Sequence, residues 1–156
     1  MIAHVNIGSN IGDRQALIDL AVTRIEASLG VKARRAPLEE SEPWGYESPN
    51  PFLNLGIAIE TDLDPLALHR LLQQIQFSIS PDPHRTPDGG YADRPIDIDL
   101  IAVGDRVVAT PELTLPHPRM HLRPFVLRPI AHLEPAWRHP LLHLSALQLL
   151  AVLPEN

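Results

Sequence analysis

The spacing of apolar residues switches repeatedly between a period of two and a period near 3.6, and that order of switches limits the folds available to this chain. Residues 2 to 7 alternate, with Ala3, Val5 and Ile7 on one side and His4 and Asn6 on the other. Gly8-Ser9-Asn10 reads as the turn ending this first strand, since it lacks the further glycines and the lysine of phosphate-cradling loops. Leu17, Leu20, Ala21, Ile25 and Leu29 then recur at helical intervals between an Asp13 N-cap and a Gly30 C-cap. Val31 to Ser41 is read as a second strand interrupted by Pro37. Phe52 to Thr61 is the clearest strand, with Leu53, Leu55, Ile57 and Ile59 on one face and Phe52, Asn54, Gly56 and Ala58 on the other. Asp64-Pro65 opens a second helix through Leu68, Leu71, Leu72, Ile75 and Ile79, which Ser80-Pro81 must end. The order strand, helix, strand, strand, helix, strand predicts an α+β, ferredoxin-like (split βαβ) antiparallel sheet with helices on one face. A hairpin turning at Gly104-Asp105 and C-terminal helices beginning at Pro124 extend it. No repeat or boundary divides residues 1–156, which are expected to form one domain.

The last strand carries the chemistry. In Ile96-Asp97-Ile98-Asp99-Leu100, the apolar residues share one face and the two aspartates the other, beside Ile101 and Val103. Two like charges side by side cost stability unless a cation or a proton neutralises one of them. A magnesium ion would do so, because it takes oxygen ligands and commonly combines one or two carboxylates with substrate phosphates. The competing reading leaves both aspartates facing water.

Other groups surround that strand in sequence. Phe52 and Asn54 emerge together and suit a planar heterocycle, the ring by stacking and the amide by hydrogen bonding. Before them, Glu42 to Pro51 is a proline-rich loop in which Trp44 and Tyr46 either face a ligand or cover a core edge. Between Ser80 and Arg94 lies a long loop carrying His84 and Arg85, cations suited to a phosphate. Arg85 could equally be a solvated charge, and Arg94 an ion-pair partner of Asp97 or Asp99. His117, Arg119, His121 and Arg123 cluster further on, and His and Arg both donate to phosphate oxygens.

Composition excludes several alternatives. There is no cysteine, hence no disulfide framework, thiolate zinc site or cysteine nucleophile. A net charge of −6 argues against broad nucleic-acid binding. No apolar run is long enough for a membrane span and the first residues carry no basic leader, so a soluble cytoplasmic protein is expected. His132, His139 and His143 lack ligand spacing.

Five motifs in order, Gly8-Ser9-Asn10-Ile11-Gly12-Asp13-Arg14, Ser41-Glu42-Pro43-Trp44-Gly45, Phe52-Leu53-Asn54, Arg94-Pro95-Ile96-Asp97-Ile98-Asp99-Leu100 and Leu115-Pro116-His117-Pro118-Arg119-Met120, are similar to those of the 6-hydroxymethyl-7,8-dihydropterin pyrophosphokinases of folate biosynthesis. The resemblance covers nearly the whole chain. It implies transfer of the β,γ-diphosphate of ATP to the pterin hydroxymethyl group, with AMP as the second product. It implies Asp97 and Asp99 as ligands of two Mg²⁺ ions, with Arg94 joining them as catalytic residues. It implies a pterin site of Ser41, Pro43, Trp44, Phe52, Asn54 and Phe125, and nucleotide contacts from Gln76, Arg85, Arg94, His117 and Arg123. ATP and the pterin are the expected partners, with no protein partner readable. The chain departs from the family where Gln76 stands at a usual glutamate, Ser78-Ile79-Ser80-Pro81 replaces a Leu-Gly-Arg segment, and Tyr91 stands near a frequent tryptophan. His84 and Arg85 are the candidates to restore the missing charge. The departure motivates the alternative of a pterin- or nucleotide-binding paralogue with weak or no turnover. A magnesium-dependent hydrolase unrelated to the family would use the aspartates but leave Phe52, Asn54 and Phe125 without a role.

Overall fold

The computed structural model describes residues 1–43, 48–81 and 93–154. Its centre is an antiparallel sheet of β1 (Ile2–Ser9), β2 (Arg34–Arg35), β3 (Glu39–Ser41), β4 (Phe52–Glu60) and β5 (Asp97–Val103). The order is β2-β4-β1-β5, with β3 pairing the same strand, β4, as β2 does. The expected second strand is thus two short ones, separated around Pro37, whose missing N–H interrupts a ladder. Gly8 and Ser9 extend β1 rather than turning, because Gly8 pairs with Asn54 on one side and Asp97 on the other.

Helices α1 (Arg14–Leu29) and α2 (Pro65–Ile79) cover one face of the sheet. Asp13 accepts from Ala16 N at the start of α1, and Gly30 ends it at φ 66°, a left-handed conformation in which glycine escapes the Cβ penalty. Asp64 caps α2 ahead of Pro65. Ala3, Val5, Ile7, Leu55, Ile57, Ile59, Ile98 and Leu100 from the strands meet Ile18, Ile25, Leu68 and Leu72 from the helices. The alternation read in β1 and β4 therefore holds along their length.

The other face is covered over part of its area by α3 (Pro124–Leu133) and α4 (Ala146–Ala151). Ile101, Ala102, Met120, Val126, Leu127, Ile130 and Trp137 form its core. His4 is buried there with Nε2 2.7 Å from Glu134. Burial holds the His4 pKa below its ordinary value, although the bond to Glu134 opposes that shift. Gly56 lies beneath α3: a Cβ added to it would come within 2.1 Å of Pro129 Cβ.

Two further expectations are corrected. Strand β5 contains a bulge, since its register against β1 shifts between His4, opposite Ala102, and Val5, opposite Leu100. Ile101 is the extra residue, and the displacement returns Val103 to the core shared by Ile98 and Leu100 rather than to the face of the aspartates. The turn at Gly104 does not fold back onto β5. Instead β6 (Val108–Ala109) pairs with β7 (Thr114–Leu115), a separate two-stranded ribbon.

Candidate active site

Where α3 and α4 leave the sheet uncovered, the ends of β1, β4 and β5 form the floor of a cleft of about 350 Å³. Its lining includes Ser41, Phe52, Asn54 and Phe125 from the expected pterin set, and Arg94, Asp97, Asp99, His117 and Arg123 from the expected phosphate and metal set. Arg119, from the cluster of histidines and arginines read as suited to phosphate, lines it as well, together with Asn6, Gly8 and Pro118, to which the sequence reading had given no site role. Asn6 had one available signal, a primary amide two residues from Gly8 in a strand otherwise apolar enough to be central.

Phe52 and Asn54 are neighbours on the same face of β4, and β3 fixes the amide between them. Asn54 Nδ2 donates to Glu39 O at 3.1 Å and to Ser41 Oγ at 2.8 Å. Glu39 O can only accept, so the orientation of the amide follows from the network. With both amide hydrogens committed, Asn54 offers a ligand its carbonyl oxygen, which lies beside Gly8. A side chain at Gly8 would crowd that oxygen at 3.4 Å and the Phe52 ring at 3.3 Å, so the bare backbone keeps this part of the cleft open.

Phe125, in the first turn of α3, is held by a different device. Pro129 inside the helix has no N–H to give the carbonyl four residues back, which is that of Phe125. Asn6 Nδ2 supplies the missing donor at 3.2 Å, tying the helix start to the centre of β1.

The aspartates occupy β5 between two supports. On the open edge of the sheet, Gln73 Nε2 donates to Ile98 O at 3.2 Å and Gln76 Oε1 accepts from Ile98 N at 2.7 Å. Two side chains of α2 thereby hold the residue that separates Asp97 from Asp99. On the other side, Asp97 and Asp99 stand opposite Gly8 and Asn6 of β1. Burial, then the adjacent Asp97, push the Asp99 carboxyl well above its usual range, against the opposing pull of Arg123 and Arg94. Arg94 Nη1 lies 3.2 Å from Asp97 Oδ1, with only 12% of the arginine side chain exposed. The ion pair anticipated as one reading of Arg94 is therefore present.

His117 reaches the cleft because of the bulge. Ile101 is left out of the ladder to β1, and its carbonyl accepts from His117 N at 2.8 Å. Burial, followed by Arg123, lowers the His117 pKa to about 4. His117 Nδ1 accepts from Arg119 N at 3.1 Å, which assigns the ring proton of the neutral imidazole to Nε2. The group is thus a neutral donor near neutral pH.

Pro43 and Gln76 do not contribute to the lining: Pro43 follows β3 outside it, and Gln76 is engaged with Ile98. Trp44 and Arg85, along with His84, Tyr46 and Tyr91, fall outside the described residues. Among the described residues no cluster of three or more His, Cys, Asp or Glu forms a candidate metal site, and no helix is long and apolar enough to cross a membrane. A carboxylate pair open to a cleft fits a magnesium ion that completes its shell with water and phosphate, whereas it would not fit a closed protein cage.

The family model for 7,8-dihydro-6-hydroxymethylpterin-pyrophosphokinase (HPPK) matches residues 4–135. A 2-amino-4-hydroxy-6-hydroxymethyldihydropteridine pyrophosphokinase of Porphyromonas gingivalis is 38% identical over 141 residues, 89% of this chain and 94% of that protein. The protein of the same name from Bacillus subtilis is 35% identical, covering 85% of this chain and 77% of its own length. In fold, 95% of this chain superposes on 42% of an HPPK-DHPS chain crystallised with substrates, at a TM-score of 0.68 and 13% identity. The chain belongs to the 7,8-dihydro-6-hydroxymethylpterin-pyrophosphokinase family.

Proposed function

We propose that this cleft carries out its family's reaction by holding ATP across Asp97, Asp99, Arg94, His117 and Arg123 while Phe52, Asn54 and Phe125 hold 6-hydroxymethyl-7,8-dihydropterin. The chain is an ATP-dependent diphosphokinase of folate biosynthesis. The observation that carries the residue assignment is the meeting, in one cleft, of a half-buried carboxylate pair with two phenylalanines and a fixed amide. The hydroxymethyl oxygen gives up its proton to solvent and forms a bond to the β-phosphorus, the bond from that phosphorus to the oxygen bridging to the α-phosphate breaks, and AMP leaves with that oxygen.

Asp97 and Asp99 would hold two magnesium ions. When bound, the ions supply positive charge to the triphosphate and to the oxygens exchanging at phosphorus. Arg94 and Arg123 add guanidinium donors suited to phosphate oxygens, while His117 donates from neutral Nε2. Phe52 and Phe125 form apolar walls for the ring, with the Asn54 oxygen accepting from its donor edge. Ser41 and Pro43, with Trp44, are read as the pterin border. Arg85 and Gln76 are read on the nucleotide side, Gln76 acting there through the backbone of Ile98. Rate acceleration comes from alignment and from fixed charge. Residues 1–156 are read as one pyrophosphokinase domain, since both apolar clusters pack on the same sheet.

The test is AMP release with ATP, Mg²⁺ and the pterin, beside a control without pterin. Strictly pterin-dependent AMP is expected. Saturable binding of both ligands with no AMP would reduce the chain to a binding paralogue.

A further inference from the structure

Asn10, just beyond β1, holds the backbone of Arg94 at two points. Arg94 N donates to Asn10 Oδ1 at 2.8 Å, and Asn10 N donates to Arg94 O at 3.2 Å. The amide nitrogen of Asn10 also donates to Asp93 Oδ1 at 2.7 Å and to Asn50 O at 3.2 Å. The second oxygen of the same carboxylate, Asp93 Oδ2, accepts from Asn50 Nδ2 at 2.7 Å and from Ser48 Oγ at 3.0 Å. Three donors from two other loops thus converge on one side chain.

A carboxylate is the group this junction requires. It accepts only, and its two oxygens have room for all three donors, whereas an amide would turn an N–H toward at least one of them. The sheet does not depend on the junction, because β1, β4 and β5 complete their ladders without it. What the junction does join is the two halves of the cleft. Asn50 is followed by Pro51 and then Phe52, and Asp93 is followed directly by Arg94, on the approach to Asp97.

We propose that Asp93 is a positioning residue that couples the pterin and nucleotide halves of the site. This inference rests on the assignment of Phe52 to the pterin and of Arg94 to phosphate. A nucleotide that draws Arg94 into place fixes Asp93 and, through Ser48 and Asn50, the strand start that carries Phe52. By linkage, each ligand then raises the affinity for the other by the same factor.

The test measures the pterin dissociation constant with and without Mg²⁺ and α,β-methylene-ATP, whose altered linkage is the one the reaction must break. The parent protein should bind pterin about tenfold more tightly in the presence of the analogue. Asp93→Ala should cut that factor severalfold, leaving only what the Asn10–Asn50 backbone bond carries, and Asp93→Asn should retain more of it. The Ser48→Ala/Asn50→Ala variant should cut it severalfold as well while keeping Asp93, Asn10 and their hold on Arg94, so the result does not depend on Asp93→Ala folding. An undiminished factor in these variants, or no enhancement in the parent, overturns the inference. AMP formation by the parent, measured in parallel, separates the two ideas. AMP with an Asp93-independent factor sinks the coupling and leaves the reaction standing; an Asp93-dependent factor without AMP does the reverse.

Discussion

Replacing Gly56 with alanine tests the contact that sets the height of α3 above the sheet. The new Cβ would stand 2.1 Å from Pro129 Cβ and 2.6 Å from Pro129 Cγ. Carbon atoms pack at about 3.5 Å or more, so the helix and strand must separate by roughly 1.4 Å. Overpacking of this kind costs about 1–3 kcal/mol, and the rigid proline ring and strand backbone put this case at the upper end. The lower unfolded-state entropy of alanine returns about 0.5–1 kcal/mol, leaving a net loss of about 2 kcal/mol. Urea denaturation should register this as a midpoint lowered by about 1 M, for a slope near 2 kcal/mol per molar. The same movement reaches the site, because Phe125 lies one helical turn before Pro129 and its carbonyl is held by Asn6 at 3.2 Å. A separation of that size takes the bond past hydrogen-bonding range and lifts the ring, so pterin affinity should fall about tenfold. Fluorescence titration with the pterin reads that loss. In the Gly56→Ala/Pro129→Gly double variant the two losses should fail to add, since the clash needs both residues. Unchanged midpoint and affinity in Gly56→Ala would refute both the close contact and its role in seating Phe125.

Acid should destabilise the protein partly through His117. With a folded pKa of about 4 against an ordinary 6.5, the unfolded chain takes up the proton first as pH falls, so stability is full above 6.5 and declines down to about 4. The decline corresponds to about 3 kcal/mol, and His117→Gln should lose correspondingly less in urea titrations across that window. Asp97→Ala should abolish pterin-dependent AMP formation while sparing most pterin affinity; undiminished turnover would remove its metal role. Phe125→Ala should weaken pterin binding by about 1–3 kcal/mol, read by titration, and unchanged affinity would mean the ring is held elsewhere.

The faces of β1 and β4 were legible because polar and apolar residues alternate along them, and both helices of the first layer were legible from spacing and caps. The bulge was not, since Leu100-Ile101-Ala102-Val103 is apolar throughout and carries no mark of which residue is extra. The Gly104-Asp105 turn was visible in the sequence, but the partner of the segment after it depends on docking elsewhere. In the site, paired carboxylates and an aromatic-amide pair are chemically conspicuous. Asn6 is not, because its task is to satisfy a carbonyl orphaned by a proline far along the chain. The Asp93 junction is similarly hidden, its donors lying 43, 45 and 83 residues away.

Among the described residues strand β5 is an edge of the sheet, and edges invite pairing with other chains. The usual deterrents, a lysine or a proline in the strand, would intrude on the carboxylate pair or break its register. Gln73 and Gln76 meet the difficulty from the neighbouring helix, by occupying the outward N–H and C=O of Ile98. A passing strand therefore finds those two groups already taken at the middle of the reactive segment. The helix that steadies the aspartates thereby also closes the middle of this edge to strand addition.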